Sequence, residues 1–210
     1  MLLGNLDGKA LAEPRAIRFL AGRRKQAWIR NVVSIGLASG FLEPLESTSI
    51  HLVQMGISHL LTFFPASGFD SAEVAQYNKV MQQEYEWVRD FIILHYKATE
   101  RTDTPFWNYC RTMTVPPSLQ HRMDLFKSHG RVFREGIELF AKVSWLQVMH
   151  GQRIRPASYH PLTDLLSEAE ITAYLDEVAG VIAACTEVMP THARFIAEHC
   201  AAGAIPAARN

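Results

Sequence analysis

The stretch Ser39-Gly40-Phe41-Leu42-Glu43-Pro44-Leu45-Glu46-Ser47-Thr48-Ser49-Ile50-His51 holds the densest run of residues that could do chemistry. Two carboxylates, Glu43 and Glu46, stand either side of Pro44, and three hydroxyl residues follow Glu46 directly. Helical apolar spacing begins at Ile50, so the hydroxyl run falls where a helix starts. The first turn of a helix has backbone N–H groups without intrahelical partners and carries the positive end of the macrodipole. Together with small hydroxyl side chains this makes a site for an anion. Glu46 lies immediately beside it, where a carboxylate could act as a base. The plain alternative is that Ser47 caps the helix and Glu46 only complements the dipole. These residues alone leave both readings open. Glu43 is further from the helix start, and its expected part is to pair with Arg23 or Arg24 and shape the loop.

Other chemistry-bearing side chains form no comparable group. His51 and His59 share a helix but are eight residues apart, and His121, His129, His150 and His160 also lack metal-ligand spacing. Cys110, Cys185 and Cys200 are far apart and form no C-x-x-C pair. No metal site is expected, and the thiols read as reduced and partly buried in a cytoplasmic protein. Trp87, Trp107 and Trp145 read first as core residues.

The elements that must position the central stretch are mostly helices. Ser34 to Pro44 contains two glycines and a proline and reads as a loop. Its apolar content predicts a segment pressed against a ligand or another part of the protein, since loops normally run over the surface. From Ser47 or Thr48 to Phe64 the spacing of Ile50, Val53, Ile57, Leu60, Leu61 and Phe64 predicts a helix, ended by Pro65 and Gly68. Asp70 and Glu73 form a capping-box pattern for a second, long helix. Its apolar side runs from Val74 through Tyr77, Met81, Tyr85, Val88 and Ile92 to Tyr96 at the far end. Thr104-Pro105 starts a short helix carrying Phe106, Trp107 and Cys110. Pro116-Pro117 precedes another with Leu119, Met123 and Phe126. Ser167 with Glu170 caps an amphipathic helix that Pro190 ends, and Thr191 caps a last helix to about Cys200. Lys25 to Val33 reads as helical. Arg15 to Leu20 fits a strand or a helix start, and Arg131 to Phe140 stays unassigned. Val143 to Met149 is short and apolar, and the tail from Ala201 is expected to fray. The fold class is mainly α, with no strand–helix alternation that would build a parallel sheet.

The run FLEPLESTSI, preceded by Ser34-Ile35-Gly36-Leu37-Ala38-Ser39-Gly40, resembles the halide-site segment of flavin-dependent tryptophan halogenases. Gly22-Arg23-Arg24-Lys25, His95-Tyr96 and Asp103-Thr104-Pro105-Phe106-Trp107 resemble flanking segments of that family, so the likeness runs along the whole chain. It implies the helical carboxy-terminal, substrate-side portion of a flavin-dependent monooxygenase-like α+β fold, with the amino-terminal dinucleotide-binding part missing. On this reading residues 1–210 form one such part, with a halide and flavin loop over 34–50 and a helical substrate-side region over 51–200. The implied activity is halogenation of an indole or tryptophan-like substrate, using reduced FAD, oxygen and chloride or bromide. The halide is oxidised at the flavin and travels as hypohalous acid to a separate indole pocket, where a lysine and a glutamate receive it.

Glu46 matches that glutamate, and its backbone carbonyl is expected to accept the indole N–H. Thr48 and Ser49 match the two positions whose backbone N–H groups hold the halide. Leu37 and Ile50 match flavin-contacting positions. Tyr96, Phe106 and Trp107 match substrate-pocket positions, with Trp107 stacking on the indole. Some positions depart from the family. Ser49 replaces a glycine, His95 a tyrosine and Arg111 an asparagine, while Thr102 falls where an acidic residue would hold the substrate ammonium. The last three leave open free indole, or an indole within a larger molecule, as well as tryptophan. No lysine matches the catalytic one, and no G-x-G-x-x-G is present. The resemblance also implies a flavin reductase as partner and allows a homodimer.

Bulk properties agree with a globular chain. Of 210 residues 48% are hydrophobic and 20% charged, and 21 basic side chains balance 21 acidic ones. Zero net charge argues against a nucleic-acid partner held by phosphate contacts and gives no reason to invoke a membrane surface. Two other readings share the same residues: a non-catalytic helical interaction module, and one half of a split enzyme.

Overall fold

The structure is a computed structural model in which residues 3–200 are described. The chain divides into two compact units, residues 1–159 and residues 160–210. Among the described residues no helix is long and apolar enough to cross a membrane.

The first unit is organised on one long helix. Four two-residue strands come first: β1 (Gly22–Arg23), β2 (Trp28–Ile29), β3 (Val32–Val33) and β4 (Gly40–Phe41). Five helices follow: α1 (Ser49–Thr62), α2 (Ser71–Lys97), α3 (Pro105–Thr112), α4 (Pro117–His129) and α5 (Lys142–Gly151). The Asp70 carboxylate starts α2 by accepting from the N–H groups of Ala72 and Glu73, at 2.7 and 3.4 Å. One side of α2 presents Tyr77, Met81, Tyr85, Val88 and Ile92 to Trp28 and to Leu52 of α1. Near its end Phe91 and Leu94 turn to the other side, into a second core with Leu119, Met123 and Phe126 of α4 and Trp145 and Met149 of α5. A 3.6-residue period lets residues one position apart serve opposite neighbours. Phe91 stacks on Phe140 at 3.7 Å and meets the edge of Trp145 at 4.9 Å.

Several expectations change here. Lys25 to Val33 is not helical: β2 and β3 pair antiparallel, Trp28 with Val33 and Ile29 with Val32, and Arg30 in the turn takes φ 54°. The β-branched Ile29, Val32 and Val33 favour this form. Asn78 of α2 fixes it, since its side-chain oxygen accepts from the N–H groups of Ala27 and Trp28 and its amide donates to the Trp28 carbonyl. The segment from Ser34 to Pro44 is not all loop. It holds a 3-10 turn over Gly36–Ala38 and then β4, which pairs antiparallel with β1. A Cβ on Gly40 would stand 2.7 Å from the Gly22 carbonyl oxygen, so only glycine permits that pairing. Arg15 to Leu20 forms no regular element, and Val143 to Met149 lies within α5.

The second unit contains a 3-10 turn (Pro161–Leu165), α6 (Glu168–Val188) and a short α7 (His192–Phe195) that runs on as a π turn over Ile196–Cys200. Ser167 and Glu170 form the reciprocal capping box at the start of α6, and the Thr191 hydroxyl caps α7. The tail from Ala201 lies outside the described residues.

One buried ion pair clamps the second core of the first unit. Arg122 meets Glu138 through two hydrogen bonds, at 3.1 and 2.6 Å, and its guanidinium lies 4.5 Å from the centre of the Trp145 ring. The Glu138 side chain is 1% exposed. Glu138→Ala removes the bidentate partner of a buried cation, leaving only the more exposed Glu135 at 3.7 Å, and is expected to lower stability by about 3–5 kcal/mol in a denaturant titration. A loss below about 1 kcal/mol would show that water reaches the pair.

Candidate active site

The central stretch forms a tight, strained turn. Leu45–Ser47 is a 3-10 turn in which Glu46 takes φ 64° and ψ 8°, and Ser47 takes φ 53°. Two successive non-glycine residues are thus left-handed, at about 1–3 kcal/mol each. The surroundings hold them there. The Ser47 N–H donates to the Pro44 carbonyl at 2.9 Å, and Leu45 packs against the Trp28–Tyr77 core. Thr48 is 1% exposed.

The helix that follows begins later than its spacing implied. Thr48 occupies the N-cap position of α1, two residues beyond Glu46, and its side chain makes no cap hydrogen bond. Ser47 is therefore not the cap. The buried Thr48 hydroxyl has no hydrogen-bond partner, which is costly for a buried polar atom unless something else approaches it. Leu37, Ser49 and Ile50 line one cavity of about 130 Å³, together with Leu42 and Tyr85. Leu37 and Ile50 are 78% and 70% exposed. Exposed apolar side chains beside a helix N-terminus suit a flat apolar ring with a small anion at its edge.

Tyr96, Phe106 and Trp107 come together where α2 ends and α3 begins. Thr104 accepts from the Trp107 N–H at 3.4 Å, and Pro105 sets the first turn of α3. Trp107 lies nearly parallel to Tyr96 at 6.1 Å and edge-on to Phe106 at 5.0 Å. The three do not share one cavity. Tyr96 and Phe106 line an apolar space of about 340 Å³ with Phe19 and Ile92. Trp107 lines a space of mixed character, about 510 Å³, with His95, Arg101 and Arg153. The Arg101 guanidinium lies 4.5 Å from the centre of the Trp107 ring and pairs with Asp103 at 2.6 Å, which holds the Asp103 carboxyl below the usual carboxylate range. An indole stacked on Trp107 therefore needs the opposite face or must displace Arg101.

Two contacts invisible in the sequence join the carboxylates to these aromatics. Glu46 Oε1 stands 3.4 Å from His95 Nε2, so Glu46 is tied to the Trp107 cavity through His95 and not by lining it. Glu43 accepts from the Tyr96 hydroxyl at 2.5 Å. The expected pairing of Glu43 with Arg23 or Arg24 is not found. Arg23 reaches Glu86 at 3.6 Å, and Arg24 donates to the Ala38 carbonyl. His51 and His59, which lack metal-ligand spacing, both approach the buried Glu84, at 3.4 and 3.7 Å. Among the described residues no group of three or more His, Cys, Asp or Glu could hold a metal ion.

Burial, and then the bond to Glu43, push the Tyr96 phenol up to about 12. Its protonated form supports the fold fully below its ordinary value near 10, and that support is lost as pH rises through about 12. In a phenolate absorbance titration, with Tyr96→Phe as the blank, Glu43→Gln should bring Tyr96 ionisation part of the way back towards 10. Burial is the larger cause, so a full return would contradict this assignment, and so would no change.

Residues 1–168 match the family model for tryptophan halogenase. The tryptophan 6-halogenase SttH of Streptomyces toxytricini is 32% identical over 192 residues, covering 88% of this chain and 36% of that protein. The tryptophan 7-halogenase RebH of Lentzea aerocolonigenes is 37% identical over 181 residues, covering 79% of this chain and 34% of that protein. Among solved structures, a flavin-dependent halogenase from Xanthomonas campestris superposes with a TM-score of 0.90 at 49% identity, covering 98% of this chain and 41% of the other. BrvH, a flavin-dependent halogenase from Brevundimonas sp. BAL3, gives 0.86 at 43% identity, covering 93% and 40%. The chain thus spans about a third of the length of these curated relatives. Its sequence and its fold agree, and the chain belongs to the tryptophan halogenase family.

Proposed function

We propose that this chain takes part in flavin-dependent halogenation of an indole or tryptophan-like substrate, as the substrate-side portion of the enzyme. Residues 34–50 serve as the halide and flavin loop, and 51–200 as the helical substrate side. The backbone N–H groups of Thr48 and Ser49 hold chloride or bromide. Leu37 and Ile50 lie against reduced FAD, and Tyr96, Phe106 and Trp107 receive the indole. A flavin reductase is the partner that supplies reduced FAD.

Bound flavin supplies, with oxygen, the oxidising power that makes halide electrophilic. The residues of this chain do the rest. Electrophilic substitution replaces an indole C–H by carbon–halogen and releases one proton. Glu46 is the carboxylate placed to take that proton, and its backbone carbonyl can accept the indole N–H. The observation that carries the reading is the left-handed Glu46 turn. It directs one carboxylate towards His95, beside Trp107, while the next residues open a helix N-terminus beside the Leu37–Ile50 cavity. Backbone strain of this kind collects at functional sites.

Indole titrated into the chain, followed by side-chain NMR, should perturb Phe106 and Trp107, and Trp107→Ala should weaken binding about tenfold or more. Binding that survives Trp107→Ala unchanged would overturn the pocket. Where turnover is obtained with reductase, NADH, FAD, bromide and indole, the product should be a single regioisomer and should be lost in Glu46→Gln. A mixture of regioisomers that survives Glu46→Gln would report free hypohalous acid and count against the role of Glu46.

A further inference from the structure

The imidazole of His95 is held at both nitrogens, and the two contacts together dictate where its protons must be. Nδ1 lies 2.8 Å from the carbonyl oxygen of Phe91, one turn earlier on α2. A carbonyl oxygen can only accept, so Nδ1 must carry hydrogen. A neutral imidazole with hydrogen on Nδ1 has a bare Nε2. That Nε2 stands 3.4 Å from Glu46 Oε1. Two acceptors set face to face repel, so the approach needs one more proton. It resides on Nε2, giving imidazolium and carboxylate, or on the Glu46 carboxyl, which then donates to Nε2. In both forms the pair holds one proton and is neutral overall.

The surroundings favour a cation at His95. It sits in the last turn of α2, at the negative end of the macrodipole. Its ring meets Phe91 edge to face at 4.8 Å. The other charged groups around it are Glu100, Arg101 and Arg153 on the cavity wall. Arg153 is paired with Glu100 at 2.9 Å and Arg101 with Asp103 at 2.6 Å, so neither arginine opposes a proton there with unbalanced charge. Lys97 is turned away, donating to the carbonyls of Arg111 and Met113.

We infer that His95 is a positioning residue for Glu46, holding its carboxylate through one shared proton that must be present for the pair to form. This rests on the proposed role of Glu46. It makes that role conditional on protonation: with the shared proton gone, repulsion frees Glu46 from the place where it faces an indole. Glu46→Gln removes the condition, because the amide donates to a neutral Nε2 without an added proton.

The test is a long-range 1H–15N spectrum of the histidine-labelled chain recorded between about pH 5 and 8. Nδ1 of His95 should stay protonated throughout, while Nε2 loses its proton as pH rises. In Glu46→Gln that loss should move to lower pH. Glu46→Ala should shift it in the same direction if glutamine perturbs the turn. His95→Gln, whose amide donates at every pH, should keep the Glu46 side chain ordered across the range, whereas His95→Phe should release it. A bare Nδ1, or a titration of His95 unchanged in both Glu46 variants, overturns the proposal. Indole added to the same samples separates this from the functional reading. An unresponsive Trp107 removes the indole pocket even where the His95 shift is seen. An indole response with His95 unmoved by Glu46 substitution removes the shared proton alone.

Discussion

α2 must satisfy two cores with one helix, and the site stands at the place where it changes from one to the other. From Tyr77 to Ile92 its apolar side covers Trp28 and α1, while Phe91 and Leu94 enter the core made with α4 and α5. A helix fixed from both sides cannot rotate without opening one of them, and truncating a buried aromatic such as Phe91 costs about 3–5 kcal/mol. Its last turn is therefore a rigid platform. His95 and Tyr96, consecutive on that turn, point to different neighbours and hold different carboxylates of the same loop.

The two carboxylates differ accordingly. Glu43 receives a hydrogen bond from a phenol that stays protonated far above neutral pH, so its anchor does not depend on pH in the ordinary range. It fixes the loop to α2. Glu46, three residues on, stands 3.4 Å from His95 and sits in a left-handed turn that strains the backbone. A firm anchor thus precedes a strained turn within one short loop. Thr48 then brings a buried, unpartnered hydroxyl to the start of α1.

Much of the framework was legible in local chemistry. The cap of α2 by Asp70, the Thr104-Pro105 start of α3 and the Ser167–Glu170 capping box depend on neighbours three residues apart, and so does the Tyr77–Ile92 side of α2. Where distant residues decide, the sequence misleads. Local residues point the β2–β3 segment towards helix, because its fixing residue, Asn78, lies 50 positions away from Trp28. Glu43 was assigned to a nearby arginine, whereas its partner is Tyr96, 53 positions on. The left-handed Glu46 and Ser47 have no local signature, since neither is glycine or asparagine. Of the residues to which the resemblance gave flavin or halide contacts, Leu37, Ser49 and Ile50 line one cavity and Thr48 does not. The resemblance named Tyr96, Phe106 and Trp107, which touch one another yet open on two cavities. It did not reveal that His95 bridges Glu46 to the second of these, because that contact depends on how the loop crosses α2.

On the proposed function, one turn sets the Glu46 carboxylate beside an anion site. Crystals of the chain soaked in bromide and recorded at the bromine absorption edge test it directly. An anomalous peak is expected within hydrogen-bond reach of the Thr48 and Ser49 N–H groups, at the edge of the cavity lined by Leu37 and Ile50. Bromide found at other surface positions but absent from this turn would contradict it.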